Sequence, residues 1–505
     1  MKLTSGVSFR AVAGFACQQG FLYSLFYLGS NRALDIAGVG VERIDLFFTL
    51  AFMAVAFLVV RFASARARNA LLAPTLLGWY AVLLVVGSLL LVFPFDAGLA
   101  EVAAEGAIIG LPSGLLLCAW GRVLVRCPRF SGAREILFAT ALGALVCLLV
   151  SAVPVAGASD FLKLLPIGSA WALRRLSMPA PNAKAGSAQR ADSASASQAA
   201  GETIEVGEGA PLHSALSVSM LVASSEERSA TARLSVKVVA GTTLFGVAAG
   251  FMEVFSSEPG MVATPTFPAT LLFVVLFCLA AAQLFMAMTS ADGENGDADQ
   301  GSLSFAGVYR LAILLTMAGY LFVPVLGGFG ITGQAIVLSG YLGLTCVLMM
   351  LFLAIARASA HDAATAFARG FFALYAGEVV GLLLGNALEC IQPEVSQPLA
   401  VAAFAGLASL FAYLFLFTEN DYVELSAIAT DIDSFDETCA RISTTYGLSR
   451  REAEVLPLAL RGRTSERIAA ELYISKSTVD THLRRIYAKT GVHSRQELID
   501  LSESK

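Results

Sequence analysis

The sequence predicts an all-α chain: a polytopic bundle of about 12 transmembrane helices in two sets of six, then a small C-terminal four-helix domain. Three observations carry this. Of 505 residues, 56% are hydrophobic and only 14% are charged, where soluble domains carry about 25% charge. Apolar runs of about 20 residues, enough to cross a hydrocarbon core, recur as far as residue 418. Beyond them the apolar residues fall at three- and four-residue steps behind capping signals, the pattern of short helices in water.

Taken in order, the twelve segments are 9–29, 44–62, 70–93, 102–125, 136–156, 160–174, 233–256, 266–289, 305–326, 331–356, 365–388 and 399–418. The sixth is the shortest. The Met-Lys-Leu-Thr start has no cleavage site before its first apolar run, so that run reads as a retained span. The chain therefore divides into a first membrane half (1–176), a flexible linker rich in Ala, Ser, Gly and Pro (177–233), a second half (234–418), an acidic spacer (419–447) and the terminal domain (448–505). A short helix near Phe435 to Tyr446 is expected to lead into that domain.

Loop charge sets the orientation, because Lys and Arg are retained on the cytoplasmic side. With the N-terminus inside, the inner loops carry Arg61, Arg66, Arg68, Arg122, Arg126, Arg129, Arg134, Arg357 and Arg369. The outer loops hold Arg32 and Arg43 and are otherwise acidic: Asp96, Glu101, Glu258, Glu389 and Glu394. An even number of spans returns the C-terminus to the cytoplasm. Six plus six around a central inner loop resembles the major-facilitator architecture in topology. The RFASARARN loop departs from the Gly, Asp and Arg signature usual in that class.

The terminal domain begins with capping-box spacing at Ser449 and Glu452, repeated at Ser494 and Glu497, and Ser475 is a third candidate cap. Between Ile468 and Thr490 the pattern reads helix, tight turn, helix. The second helix has a buried stripe of Val479, Leu483 and Ile486 and an opposite face of Asp480, Thr481, Arg484, Arg485 and Lys489. Such a face suits a DNA major groove, where cations meet phosphates and one or two side chains reach base edges. Residues 448–505 carry 11 Lys and Arg against 8 Asp and Glu, a surplus of three on a chain whose net charge is −5. A solvated face on a small bundle would show the same surplus.

The run also resembles a family, the LuxR-type helix-turn-helix domains. The match lies at Leu448, Arg451, Glu452, Glu454, Val455, Leu456, Gly462, Thr464, Ile468, Ala469, Leu472, Ile474, Ser475, Thr478, Val479, His482, Lys489, Gly491, Val492, Arg495, Glu497 and Leu498. It covers only the last tenth of the chain. The resemblance implies base reading at Asp480, Thr481 and Arg484, phosphate contact near Thr478, His482 and Lys489, and a dimer contact at Leu498 and Leu501. Thr464, Ser475, Arg485 and Arg495 complete the candidate DNA-binding set. Four residues depart from the family pattern: Asp480 for a usual Lys, Arg467 for Glu, Thr490 for Leu, and Pro457 within the first helix. Asp480 can accept from a cytosine amino group but repels phosphate. Pro457 deletes a backbone donor and is expected to kink its helix.

Inside the spans, ionisable and amide groups are costly and default to functional candidates. These are Gln18, Gln19, Glu105, Glu253, Arg310 and, nearest mid-span, Glu378, with Tyr375, Asn386 and Gln334 as neighbours of an outward-facing pocket. Acids at these depths imply a cationic or proton-linked ligand. Eight cysteines without a C-x-x-C pair, and no clustered His, give no reason to expect a metal, cofactor or disulfide framework. No nucleophile elbow or phosphate loop supports an enzyme. The reading is a membrane-embedded one-component transcription regulator, like the membrane-anchored LuxR-type regulators. Its expected partners are promoter DNA, the lipid bilayer, a small-molecule ligand, a second copy on DNA and RNA polymerase. A secondary transporter with a DNA-binding tail is the alternative.

Overall fold

A computed structural model describes residues 9–28, 31–36, 39–90, 98–125, 129–153, 158–177, 225–255, 260–261, 266–290, 298–326, 333–358, 362–391, 398–416, 418, 420–421, 435, 438–472 and 474–503. They form two compact units, one drawn from Met1–Arg175, Ser229–Ala358 and Asp362–Thr430, the other from Leu176–Arg228, Ser359–His361 and Asp431–Lys505.

The first unit comprises α1 (Phe9–Tyr27), α2 (Ile44–Phe62), α3 (Ala65–Leu71), α4 (Pro74–Leu90), α5 (Leu99–Leu124), α6 (Arg129–Ser151), α7 (Leu165–Ser177), α8 (Ser225–Val254), α9 (Phe267–Ser290), α10 (Ala298–Leu326), α11 (Gly333–Ala358), α12 (Ala363–Ile391) and α13 (Pro398–Phe411). Each of the twelve expected segments contains helix. Among the described residues, seven helices are long and apolar enough to cross a membrane, or eight if α3 and α4 count as one broken span, so twelve full spans are not established. The outward residues are apolar too, such as Leu272, Leu276 and Leu279 on α9 and Phe404 and Leu407 on α13. Helices that are hydrophobic all round suit lipid rather than water. The protein is a multi-pass membrane protein.

Four details differ from expectation. The third segment is not one rod: α3 and α4 meet at 51°. Pro74 opens α4, and the residue before a proline disfavours helix, so the chain breaks there. The sixth segment is a 3-10 turn, Ala158–Leu164, followed by the 13-residue α7. Helix α8 starts at Ser225, inside the stretch expected as linker, because SEERSATAR is rich in helix formers with acids in the first turn. The rest of the expected linker, 178–224, lies outside the described residues. Finally, a small antiparallel hairpin, β1 (Leu34–Ile36) with β2 (Val39–Val41), joins α1 to α2.

Helices α1–α7 and α8–α13 meet where α2 packs on α12 and α6 on α9. Polar ties bridge them at both ends. At the hairpin end, Arg43 donates to Glu253 Oε2 on α8 at 3.1 Å and to the Phe26 carbonyl at 2.8 Å. There too the Glu42 amide donates to Asn386 Oδ1 on α12 at 2.6 Å. At the other end, Arg68 donates to Asp362 at 2.7 Å, and Arg122 pairs with the same carboxylate just before α12. Lys237 near the start of α8 bonds Asp421 at 2.8 Å. Asp421 is buried, so this part of the expected spacer is not a solvated run.

The second unit holds a helical stretch at 438–445, then α14 (Arg450–Leu460), α15 (Ser465–Leu472), α16 (Lys476–Thr490) and α17 (Arg495–Glu503). Its core is Val455, Leu456, Ile468, Val479, Leu483, Ile486 and Leu498, closed by Cys439 and Ile442 from the helical stretch. Phe435 packs on this core, and the Arg461 guanidinium lies 4.5 Å from its ring centre. The domain therefore reaches back into the segment expected as a spacer.

Candidate functional site

Helix α16 is the candidate DNA-reading element, and three local devices fix it. Ser475 caps it, accepting from the Thr478 amide at 3.1 Å. Gly491 ends it at φ 75°, a left-handed conformation that costs glycine nothing. Val479, Leu483 and Ile486 bury one face. Helix α15 is set by Thr464, which accepts from the Arg467 amide at 3.3 Å, and the turn to α16 closes with Ile474 N donating to Ala469 O at 3.0 Å. The Ser449 box forms in both directions, with Ser449 N donating to Glu452 at 2.6 Å. Around Ser494 half of the box forms, with the Glu497 amide donating to Ser494 Oγ at 3.2 Å, while the carboxylate reaches one residue further back. Glu497 takes the His493 amide at 2.9 Å and the Ser494 hydroxyl at 2.9 Å, and these bonds hold its carboxyl below the usual range. Helix α14 runs unbroken through Pro457.

The free face of α16 shows Lys476, Ser477, Thr478, Thr481, Arg484, Arg485, Ala488 and Lys489 to solvent. Arg484 and Arg485 have no partner among the described residues and can reach outward. Asp480 and His482 are half-buried. Thr464, Ser475 and Thr478 spend their side chains on caps, and Thr481 bonds back to Ser477 O at 2.8 Å. Arg495 is half-buried near the start of α17. Lys476, which the periodic reading passed over, pairs with Glu466 of α15.

Lys489 has partners within the domain that its spacing did not show. Its ammonium bonds Glu452 Oε2 at 2.6 Å and the Gly447 carbonyl at 3.0 Å. Burial alone would raise the Glu452 carboxyl, but Lys489 and the Ser449 amide outweigh it and hold the group down at about 2. Lys489 thus braces α16 against the start of α14. Thr490, read as lost core area, is buried with its hydroxyl bonded to Ile486 O at 2.8 Å.

Residues 447–502 match the family described as bacterial regulatory proteins, luxR family. The C-terminal domain is of the LuxR type. The chain also aligns with curated relatives. It is 42% identical over 74 residues to the response regulatory protein YgeK of Escherichia coli (strain K12), covering 14% of this chain and 50% of that one. It is 30% identical over 101 residues to the oxygen regulatory protein NreC of Staphylococcus aureus (strain bovine RF122 / ET3-1), covering 19% and 46%. The chain thus spans about half the length of the curated relatives it matches. Among solved structures, it is similar to the proton:xylose symporter XylE (TM-score 0.47, 13% identity, 83% of this chain and 97% of that one). It is also similar to an auto-inhibited POT family peptide transporter (TM-score 0.44, 12% identity, 80% and 95%).

In the membrane unit the candidate residues separate into four places. Gln18 accepts from Ser169 at 3.0 Å, which accepts from the Trp120 indole at 2.8 Å, a buried chain. Glu105 pairs with Arg32 at 3.1 Å beside a cavity lined by Asp45 and Thr49. Glu253 pairs with Arg43, and with Gln334 it lines a second, small cavity. Gln19, Tyr375 and Glu378 line a third, also small, with Tyr23, Tyr27, Tyr341 and Met349. Asn386, expected beside Glu378, instead holds Glu42 of the hairpin. Arg310 is exposed. Arg32 and Arg43 are therefore not free loop charges, and two of the three candidate acids are already neutralised. Spacing could not show this, since each pair joins residues more than 70 positions apart.

The approach of α8 to α12 carries a signal the sequence reading missed. Gly246 and Gly250 face Gly377 and Gly381, and a Cβ on Gly250 would lie 2.0 Å from the Glu378 carbonyl. Small residues four apart let two backbones close on each other. Here they seat Glu378 at the helix contact.

Proposed function

We propose that the protein is a membrane-embedded one-component transcription regulator. The observation that carries it is the exposed, cationic face of α16 in a LuxR-type domain on the same chain as the membrane helices. In this reading the N-terminus and the LuxR-type domain lie in the cytoplasm, as the Arg-rich loops favour. The membrane unit takes a small molecule, and two copies of the domain meet promoter DNA as a dimer, with RNA polymerase as the next contact. Tethering two domains to one bilayer raises their effective concentration for paired half-sites, so a ligand that alters pairing alters occupancy.

Exposure on α16 supports the roles: Arg484 reads base edges, with Thr481 beside it, and Arg485 contacts phosphate. Ser475, Thr478 and Thr464 present capped helix N-termini, which favour phosphate oxygens. Genome-wide mapping of the intact protein's DNA sites tests the reading. Arg484→Ala should relax the recovered motif at one position, losing about 1–3 kcal/mol of discrimination. Arg485→Ala should weaken all sites alike and lower the salt slope by about 0.9. Wild-type occupancy in both variants would remove α16 from the interface, and labelling of an engineered cysteine near Lys505 from outside the cell would end the regulator reading.

A further inference from the structure

Two arginines on packed helices sit together with no acid between them. Arg61 lies in the last turn of α2 and Arg369 in the second turn of α12. Phe57 stacks on Phe371 with ring centres 5.9 Å apart, and the next turn of α2 carries Arg61 alongside the start of α12. There its charge bears directly on Arg369. The acid at the start of α12, Asp362, is already shared by Arg68 and Arg122. Neither Arg61 nor Arg369 has an ion-pair or hydrogen-bond partner among the described residues. Both are half-buried, so water screens their repulsion only in part. An anion placed between them would remove that repulsion, and guanidiniums grip phosphate with paired N–H donors. The surface beside them suits lipid. Val55, Val59 and Phe62 follow one another along one face of α2, over about 10 Å of helix, and are 44%, 46% and 76% exposed. The Arg61 guanidinium lies 5.3 Å from the Phe62 ring centre, so the apolar stripe ends at the charge. Arg66, exposed on α3, adds positive charge just beyond.

We propose that Arg61 and Arg369 form a binding site for an anionic phospholipid, its phosphate held between the two guanidiniums and one acyl chain lying along Val55, Val59 and Phe62. The site needs only the membrane unit and stands apart from the regulator reading. A free phosphate would meet the same donors; the exposed apolar stripe is what selects the lipid. Arg61 belongs to α1–α7 and Arg369 to α8–α13, so the lipid bridges the two sets of helices. It therefore binds best when α2 and α12 are packed together, and favours that arrangement.

The test uses the full-length protein in detergent and native mass spectrometry, titrated with dioleoylphosphatidylglycerol or with the tail-matched, zwitterionic dioleoylphosphatidylcholine. The first phosphatidylglycerol should bind about tenfold more tightly than phosphatidylcholine, the weight of one charge-assisted contact. Arg61→Gln and Arg369→Gln should each abolish most of that preference, and the double variant should lose no more than either alone. Arg174→Gln, at the exposed end of α7, should keep it. Millimolar orthophosphate should not displace the lipid. Melting in nanodiscs separates a binding role from a structural one. The wild type should melt several degrees higher with phosphatidylglycerol present than in phosphatidylcholine alone. Arg369→Gln should lose that gain, yet melt no lower than the wild type in phosphatidylcholine, because it removes a repulsion and a cation near a helix N-terminus. Equal affinity for the two lipids would overturn the proposal. So would a preference that Arg174→Gln lowers as far as Arg61→Gln, which would make it an effect of overall surface charge. Displacement by orthophosphate would assign the donors to a free anion instead, and Arg369→Gln melting lower than wild type in phosphatidylcholine would make the arginine a structural tie; either result overturns the lipid site.

Discussion

Lys489 and Glu452 show how one side chain changes meaning once its partner is known. By period alone, Lys489 continues the cationic face of α16; by contact, it is the counter-ion of a carboxylate 37 residues earlier. Lys489→Met leaves that buried carboxylate with only the Ser449 bonds. Because Lys489 itself is partly solvated, the expected loss is about 1–2 kcal/mol. For a domain of this size each kcal/mol moves the melting temperature by about 4–8 °C. Denaturation of a soluble fragment, residues 435–505, measures it, and an unchanged midpoint would return Lys489 to the phosphate set. The same pair fixes a pH dependence. The folded Glu452 carboxyl sits at about 2, below its ordinary 4.5. Its stabilisation is therefore complete above the ordinary value and lost as pH falls toward 2. Lys489→Met should flatten that limb of the stability profile.

At the scale of elements, much was legible because it is local. Capping at Ser449 and Ser475, the buried stripe of α16 and the apolar runs of the membrane unit depend on neighbours within one or two turns. The break at Pro74 was equally local, but a hydropathy window averages across it. What sequence could not show was which acid meets which arginine, since Arg43 and Glu253 meet only after α1, α2 and α8 have packed. The α8 and α12 contact lies between these cases: its glycines repeat at four-residue steps, yet the repeat does not say which helix answers it. Gly250→Val should force the pair apart against the Glu378 carbonyl and cost about 1–3 kcal/mol, as overpacking does. Gly78→Val, where a Cβ meets nothing within 4 Å, is the control. Detergent-extracted protein followed by size exclusion after heating should lose its monodisperse peak several degrees earlier for Gly250→Val alone. Equal melting of both variants would mean that the contact does not hold the unit together.

Over the whole membrane unit, the decisive feature is that helices α1–α7 and α8–α13 are tied at both ends. Arg43 with Glu253, and Glu42 with Asn386, close the hairpin end; Arg68 and Arg122 with Asp362 close the other. Such a unit is held shut by ion pairs at each face, and a ligand can move it only by favouring a state in which one set of ties is broken. The ties differ in character. Arg43 is fully buried and carries the one positive φ of a non-glycine among the described residues, 55°, so the hairpin end stores backbone strain. Asp362 sits at a half-exposed helix start, where two guanidiniums and the Ala364 amide hold its carboxyl below the ordinary range despite partial burial. Asp362→Asn removes the shared charge and should let that end open. Cys118, fully buried one turn before Arg122 on α5, reports it. In a variant where Cys118 is the only cysteine, maleimide labelling should rise several-fold with Asp362→Asn. It should stay at its wild-type level with Glu253→Gln, which loosens the opposite end. If both substitutions expose Cys118 equally, the ties act as general stabilisers of the bundle and not as independent closures of its two ends.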